Sequence, residues 1–263
     1  MSRGGEALDW RGGPVACGGC PFEAVHGENL CQPGQSCYFD RRASRMDAFF
    51  KANPALAVRA LEESHFLLRA VAARHINIFL LPRLMTDPDP EVRQAAAWRL
   101  PMRLLLRLAD DSDPGVRAIV AGRVEDQDGL LAFLSDPDYA VRKVLARRLE
   151  PDLLRVMIRD PSQDVRVAVA RRLHEIWLPL MVADPAAEVR LEVAARLPAE
   201  RLFLLAVDED WRVRRCVAER IDAAGLAILA EDEEDDVRAV AIERRNRLRG
   251  ESCFPEDGGL KGA

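Results

Sequence analysis

Four cysteines within 21 residues are the group in this sequence best suited to chemistry. They are Cys17, Cys20, Cys31 and Cys37, with two glycines, ten residues and five residues in the successive intervals. In a reducing compartment such a cluster indicates a metal site rather than a set of disulfides. Four thiolates match the requirement of a [4Fe–4S] cluster, one for each iron.

Spacing alone leaves two alternatives open. Structural zinc sites commonly use two close cysteine pairs, but the second pair here is separated by five residues. Disulfides are the other alternative. His26 could replace one ligand, although four cysteines suffice and a solvated histidine is the simpler interpretation.

The segment that must position these thiols has little means of folding by burial alone. Half of the chain's 16 glycines fall within residues 1–36, and no helical apolar stripe is visible there. A segment of this kind needs a staple, which a metal would supply. Trp10, Phe22, Tyr38 and Phe39 are the aromatic side chains expected to screen the metal from water.

The rest of the chain is repetitive. An apolar residue followed by arginine recurs at intervals of 24, 24, 25, 24, 24, 24 and 24 residues. The eight arginines of this row, here called the ladder arginines, are Arg69, Arg93, Arg117, Arg142, Arg166, Arg190, Arg214 and Arg238. Counted from the apolar residue of each pair, further apolar residues recur three or four and eight positions later, which predicts an α-helix of about twelve residues. Two apolar residues spaced three apart then predict a short second helix of one or two turns, which suits a 3₁₀-helix.

Each repeat also carries an acidic residue six positions before its ladder arginine, often followed by proline, as in Asp87-Pro88. This pair predicts the start of the α-helix, because a carboxylate caps free N–H groups and proline tolerates the first turn. Neither helix can bury its apolar stripe alone, so the repeats must stack as a solenoid.

A second arginine row lies six residues after the ladder arginines, near the end of each α-helix, with His75 in the first repeat. Structurally, the two rows would bond helix-end carbonyls or the capping aspartates of neighbouring repeats. Functionally, they would form a surface for nucleic acid or a phosphoprotein.

The 24-residue unit with Asp-Pro, Val-Arg and trailing leucines resembles the leucine-rich repeat variant (LRV) family. Similar members pair the repeat with an N-terminal cysteine-rich domain that holds a [4Fe–4S] cluster. The resemblance covers nearly the whole chain. It implies alternating α- and 3₁₀-helices in a right-handed superhelix and carries the cluster-ligand role onto Cys17, Cys20, Cys31 and Cys37. The missing proline in the last two repeats departs from the pattern.

The expected organisation is all-α, with a cluster domain at 1–50, about eight repeats at 51–250 and a flexible tail at 251–263. The net charge of −5 argues weakly against a general polyanion binder. The chain contains no run of about 20 apolar residues and no apolar signal region near Met1, so we expect a cytoplasmic protein.

No phosphate-binding loop, dinucleotide motif or histidine-rich site is present, so we expect no enzymatic activity. The main hypothesis is a scaffold whose concave face binds a protein, with a redox or sensing cluster. The alternatives are an electron-transfer protein that docks a partner through its solenoid and a nucleic-acid binder that uses the arginine rows.

Overall fold

The protein is built from short helices. A computed structural model of the chain describes residues 7–28 and 30–250, so the predicted tail lies outside the described residues. Within the described part no β-strand forms. Its extended pairing is limited to isolated bridges joining Leu8 to Pro14, Asp9 to Asp40 and Gln32 to Ser36.

The α-helices are Glu23–Gly27, Ala43–Ala52, Phe66–Ala72, Pro90–Ala97, Met102–Leu105, Pro114–Arg123, Gln127–Leu131, Tyr139–Arg148, Gln163–Ala170, Ala187–Arg196, Trp211–Ala218, Ala223–Leu229 and Asp235–Arg249. The 3₁₀-helices are Pro54–Glu62, Ile78–Thr86, Leu106–Leu108, Leu153–Met157, Glu175–Met181 and Ala199–Leu205. Among the helices described, none is both long and apolar enough to cross a lipid bilayer.

The chain forms two compact units, which divide after Gly129. In the first unit, the helix Ala43–Ala52 packs on Phe66–Ala72, which packs on Pro90–Ala97 and so on to Pro114–Arg123. In the second unit, the helices from Tyr139–Arg148 to Asp235–Arg249 stack in the same sequential manner. Within each unit, helices therefore pack on the neighbouring repeat, as the sequence predicts.

The predicted apolar rows form the core of each unit. The first leucine of the short segments is fully buried at Leu81 and Leu105 in the first unit and at Leu154, Leu178 and Leu202 in the second. Burying a leucine side chain completely contributes about 1.5–3 kcal/mol. Regularly spaced leucines thus contribute to the core of each of these repeats.

Two details of the helix prediction are wrong. The α-helix of the second repeat begins at Pro90 and is capped by Asp89, whose carboxylate accepts a hydrogen bond from the Glu91 N–H. The predicted cap, Asp87, lies outside the helix and accepts from the Asp89 N–H at 2.9 Å. The short segments Met102–Leu105, Gln127–Leu131 and Ala223–Leu229 are α-helical rather than 3₁₀.

The aspartates that the sequence predicts as helix caps accept hydrogen bonds from the ladder arginines instead. In six of the eight, Nε and Nη2 of the guanidinium donate to the two carboxylate oxygens of the aspartate 18 residues later, at 2.7–3.0 Å. The pairs are Arg69–Asp87 and Arg93–Asp111 in the first unit and Arg142–Asp160, Arg166–Asp184, Arg190–Asp208 and Arg214–Asp232 in the second. We call this set the Arg–Asp ladder. The predicted stitching of neighbouring repeats by these arginines is confirmed for these pairs.

The second arginine row joins consecutive repeats through backbone oxygens. Arg99 Nη1 donates to the Ala73 and Ile76 carbonyls at 2.7 and 2.9 Å, and Arg196 Nη1 donates to the Ala170 carbonyl at 2.7 Å. These carbonyls belong to the end of the preceding helix, where the last C=O groups lack helical partners. Both rows are therefore part of the structure that holds the stack together.

Candidate metal centre

The first cysteine pair lies on a tight turn. The Cys20 N–H donates to the Cys17 carbonyl at 3.1 Å, and the Glu23 N–H donates to the Cys20 carbonyl at 3.0 Å. Gly19 has a φ of 74°, a left-handed conformation that favours glycine. The turn leads directly into the helix Glu23–Gly27. It also brings the Phe22 N–H to 3.5 Å from the Cys20 sulfur.

The second pair flanks a small hairpin. The Gln32 N–H donates to the Ser36 carbonyl at 2.7 Å, and the Ser36 N–H returns to the Gln32 carbonyl at 2.8 Å. This bridge turns the five intervening residues back on themselves, so that Cys31 and Cys37 stand at the two ends of one closed loop. The Cys37 N–H donates to the Arg45 carbonyl at 3.2 Å, which ties the loop to the helix Ala43–Ala52.

The four predicted ligands differ in exposure, and the charges of three of them affect the pKa of the fourth. Cys31 and Cys37 are buried, whereas Cys17 and Cys20 are half-buried. Burial, and then the negative charges that Cys37, Cys20 and Cys17 would carry, raise the pKa of the Cys31 thiol to about 12. The structure thus brings the four sulfurs into one electrostatic neighbourhood. Four thiolates can share it only with a cation among them, because like charges in a low dielectric repel strongly.

The four aromatic side chains predicted to screen the metal contact one another. Phe22 and Tyr38 have ring centroids 4.5 Å apart, Tyr38 and Phe39 are 4.9 Å apart, and Trp10 lies 5.3 Å from Phe39. The sequence predicted these four aromatic residues. Phe49, which lies 5.5 Å from Phe22 and belongs to the helix Ala43–Ala52, extends the same cluster toward the repeats.

Polar contacts that the sequence did not predict tie the cysteine module to the first repeat. The fully buried Asp40 accepts from Arg45 Nη1 at 2.9 Å. The Tyr38 hydroxyl donates to Glu63 at 3.0 Å, so it takes the place of the ladder arginine that precedes each later repeat. Asp40 and Arg45 are five residues apart, which fits neither helical nor strand periodicity, so no sequence signal marks this pair.

The donor set suits a metal more than a covalent bridge. Each cysteine in the described part of the chain, including the distant Cys216, is a free thiol. Within the same described residues, no three His, Cys, Asp or Glu side chains form a closed coordination group. His26 Nδ1 lies 2.7 Å from the Cys31 carbonyl oxygen, within hydrogen-bond distance.

The N-terminal module and single repeats match known families. Residues 7–59 match the family described as "LRV protein FeS4 cluster". Residues 187–210 match the family "Leucine rich repeat variant", and residues 79–101 match "HEAT repeat". The first match covers all four predicted ligands and assigns an iron–sulfur cluster to this module.

A solved structure extends the similarity to most of the chain. It is described as a leucine-rich repeat variant with a novel repetitive protein structural motif, and it matches with a TM-score of 0.79 and 36% identity. The match covers 88% of this chain and 98% of the other. The chain belongs to the leucine-rich repeat variant family. The predicted all-α repeat fold with an N-terminal iron–sulfur domain is confirmed.

One curated relative is also similar to this LRV protein. It is an "Uncharacterized 27.7 kDa protein in nifB 3'region" of Rhodobacter capsulatus, 44% identical over 93 residues. The match covers 35% of this chain and 38% of the relative, so the chain spans well under half of that relative's length.

Proposed function

We propose that this LRV protein holds a [4Fe–4S] cluster on Cys17, Cys20, Cys31 and Cys37 and uses its repeats to bind a partner protein without catalysing a reaction. The observation that carries this proposal is the convergence of four free thiols in a module that matches an iron–sulfur domain. Free thiols fit a reducing compartment such as the cytoplasm.

The spacing of the cysteines favours a cluster over zinc. Structural zinc sites commonly use two close cysteine pairs, whereas five residues separate Cys31 from Cys37. The match of residues 7–59 to an iron–sulfur domain supports the same choice. In a [4Fe–4S] cluster each thiolate binds a different iron.

The chain's own residues prepare the site for such a cluster. Burial raises the pKa of the Cys37 thiol, and hydrogen bonds from the Phe39 and Asp40 N–H groups partly oppose this rise. N–H groups directed at sulfur also favour a more negatively charged cluster. When bound, the cluster supplies reversible one-electron chemistry. Cys17 and Cys20, on the half-buried turn, form the side nearest to solvent.

This exposed turn favours electron transfer as the second candidate function. A redox partner that docked there would approach the two half-buried sulfurs of Cys17 and Cys20. Nucleic-acid binding has less support. The ladder arginines Arg69, Arg142, Arg190 and Arg214 are buried, and their guanidinium groups are bonded to aspartate.

The test is Cys20→Ala, with Cys216→Ala as the matched control, since Cys216 is a half-buried cysteine in the second unit. We expect Cys20→Ala to lose the visible absorbance and iron content of the anaerobically purified protein, and Cys216→Ala to retain both. The far-ultraviolet circular dichroism of both variants should keep the helical signal of the repeats, because repeats depend mainly on their neighbours. Full iron content in Cys20→Ala would contradict the assignment.

A further inference from the structure

One position of the repeat carries an exposed, bulky apolar side chain in each of the last four short helices. It lies two residues after the first buried leucine of each short helix and is occupied by Val156, Leu180, Leu204 and Ile228, at intervals of 24 residues. Their exposed fractions are 52%, 62%, 42% and 61%. We call these four residues the outer row.

The first unit shows that folding does not require this row to be apolar. The equivalent positions there are Arg83 and Arg107, which follow the buried Leu81 and Leu105 by two residues. Both leucines are fully buried in spite of the adjacent arginine. Four apolar side chains in register on a surface that accepts arginine are typical of an interaction site.

Three cavities lie in equivalent places between consecutive repeats of the second unit, with volumes of about 350, 350 and 450 Å³. We call them together the groove, and Val156 and Ile228 of the outer row line its two end cavities. The last and largest cavity is lined by the apolar side chains of Val207, Ile228 and Leu229. Val207 is 80% exposed, so this end of the groove offers the most open apolar surface.

Carboxylates rim the same end. In four repeats a proline follows the ladder aspartate, at positions 88, 137, 161 and 185, but the last two repeats have Glu209 and Glu233 there instead. Both glutamates line the largest cavity together with Glu231, and their side chains are 82% and 84% exposed.

The Arg–Asp ladder is complete without Glu209 and Glu233. Arg190 and Arg214 lie closest to them, but each already binds Asp208 or Asp232 through two hydrogen bonds. Glu209 and Glu233 add one contact each, at 2.9 and 3.4 Å, to a guanidinium that is already neutralised. The rim therefore carries surplus negative charge beside an apolar floor.

We propose that this groove binds an extended segment of a partner protein in which apolar side chains alternate with lysine or arginine. The apolar side chains would cover Val207 and Ile228, while the cations meet Glu209 and Glu233. Charge disfavours the chain's own residues 251–263 as the occupant, since they contain three carboxylates and one lysine. This inference rests on the proposed role of the repeats in binding a protein.

The experiment uses the full-length protein and three fluorescein-labelled 12-residue peptides. The first alternates leucine with lysine, the second replaces the lysines by glutamate, and the third replaces the leucines by serine. We expect the first peptide alone to bind with high affinity in fluorescence anisotropy, and its affinity to fall as salt rises. Equal binding of the first and third peptides, or no binding of the first, would overturn the proposal.

Two variants locate the binding site. The double substitution Glu209→Pro and Glu233→Pro restores the residue found in other repeats and should weaken binding of the first peptide at least tenfold. Ile228→Arg introduces the residue type of the first unit's equivalent positions and should do the same. Phe79→Arg, at an 86% exposed residue of the first unit, is the control and should leave affinity unchanged.

Three further outcomes keep the two proposals distinct. Unchanged affinity in both groove variants would overturn the groove assignment but leave the cluster proposal standing. A truncation after Gly250 that strengthens peptide binding would identify the chain's own C-terminal residues as the occupant and overturn the partner assignment. Loss of iron in Cys20→Ala with unchanged peptide binding would support both proposals, because the groove and the cysteines lie in different units.

Discussion

The repeats and the cysteine module satisfy their polar groups in different ways. In the repeats the buried charges bind each other, as when Arg166 donates two hydrogen bonds to Asp184. In the cysteine module, Asp40 and Arg45 form such a pair, but four free thiols share one neighbourhood. The repeats therefore pair their buried charges within the chain, whereas the module carries four thiols that the proposed cluster would bind.

This difference also predicts where each region is vulnerable. Removing one member of a closed ion pair leaves a buried charge without a partner, which is costly at that repeat. Removing the metal from the module removes the staple of a segment with few helices. The module is joined to the first repeat by the hydrogen bond from Tyr38 to Glu63, so the first unit should respond to metal loss before the second.

Metal removal should have the largest effect. After treatment with a chelator and an oxidant under anaerobic conditions, we expect the amides of residues 7–50 to lose protection from hydrogen exchange. The helices from Tyr139–Arg148 to Trp211–Ala218 should keep theirs, because their ladder and core do not involve the cysteines. Simultaneous loss of protection in both regions would contradict the separation.

Breaking one ladder pair should follow in size. Arg166→Ala leaves the buried Asp184 carboxylate unpaired, which should lower the free energy of unfolding by about 3–5 kcal/mol. Their side chains are 11% and 5% exposed. Urea unfolding followed by circular dichroism would measure the change.

Arg171→Ala is the matched control for that variant. Arg171 also pairs with an acidic residue of the next repeat, Glu192, but its side chain is 60% exposed. Solvent-exposed pairs contribute about 0–1 kcal/mol, so the free energy of unfolding should change by no more than that. Equal losses in the two variants would show that burial does not determine the importance of the ladder.

Protonation of the ladder aspartates should have a smaller effect. Hydrogen bonds from Arg214 lower the pKa of the Asp232 carboxyl below its ordinary value of 3.8, so the pair's contribution is complete above that pH and disappears as the pH falls through the folded-state pKa. At pH 7, Asp232→Asn should cost about 2 kcal/mol, the amount typical of hydrogen bonds to a charged group.

Urea unfolding at a series of pH values checks this expectation. The difference in stability between the wild type and Asp232→Asn should stay constant from neutral pH down to about pH 5. It should shrink only below the ordinary aspartate pKa. A difference that stays constant at pH values below the pKa of both states would contradict the assigned pair.

Two glycines of the cysteine module should show the smallest effects. Gly19→Ala forces a side chain into a left-handed conformation, at a cost of about 1 kcal/mol, and Gly19 has a φ of 74°. At Gly18 the φ is not in this range, and a Cβ would have no neighbour within 4 Å. The melting temperature should therefore fall in Gly19→Ala and stay unchanged in Gly18→Ala. Equal melting temperatures would indicate that the turn is not held as described.

The sequence predicted the repeat because its signal recurs. Leucines, ladder arginines and aspartates return every 24 residues, so each repeat confirms the others. The helix start was wrong because Asp87-Pro88 looks like a cap, although Asp89 performs that role and Asp87 accepts from Arg69 instead. A contact 18 residues away leaves no mark on the local pattern.

The sequence predicted a metal-binding role for the cysteine module, but it did not predict the tertiary contacts of the module. The types and spacing of Cys17, Cys20, Cys31 and Cys37 indicate a metal without reference to any fold. Tertiary contacts such as Tyr38–Glu63 and Asp40–Arg45 occur once, so no repetition reveals them. The assignment of the four ligands and the boundary at residue 50 remain predictions.

Iron and acid-labile sulfide analysis of anaerobically purified protein, combined with Mössbauer spectroscopy, tests the central claim most directly. The claim is that the four thiols of the cysteine module are completed by one [4Fe–4S] cluster. We predict about four irons and four sulfides per chain, the composition of that cluster. One zinc per chain with no sulfide, or four cysteines recovered as two disulfides, would contradict it.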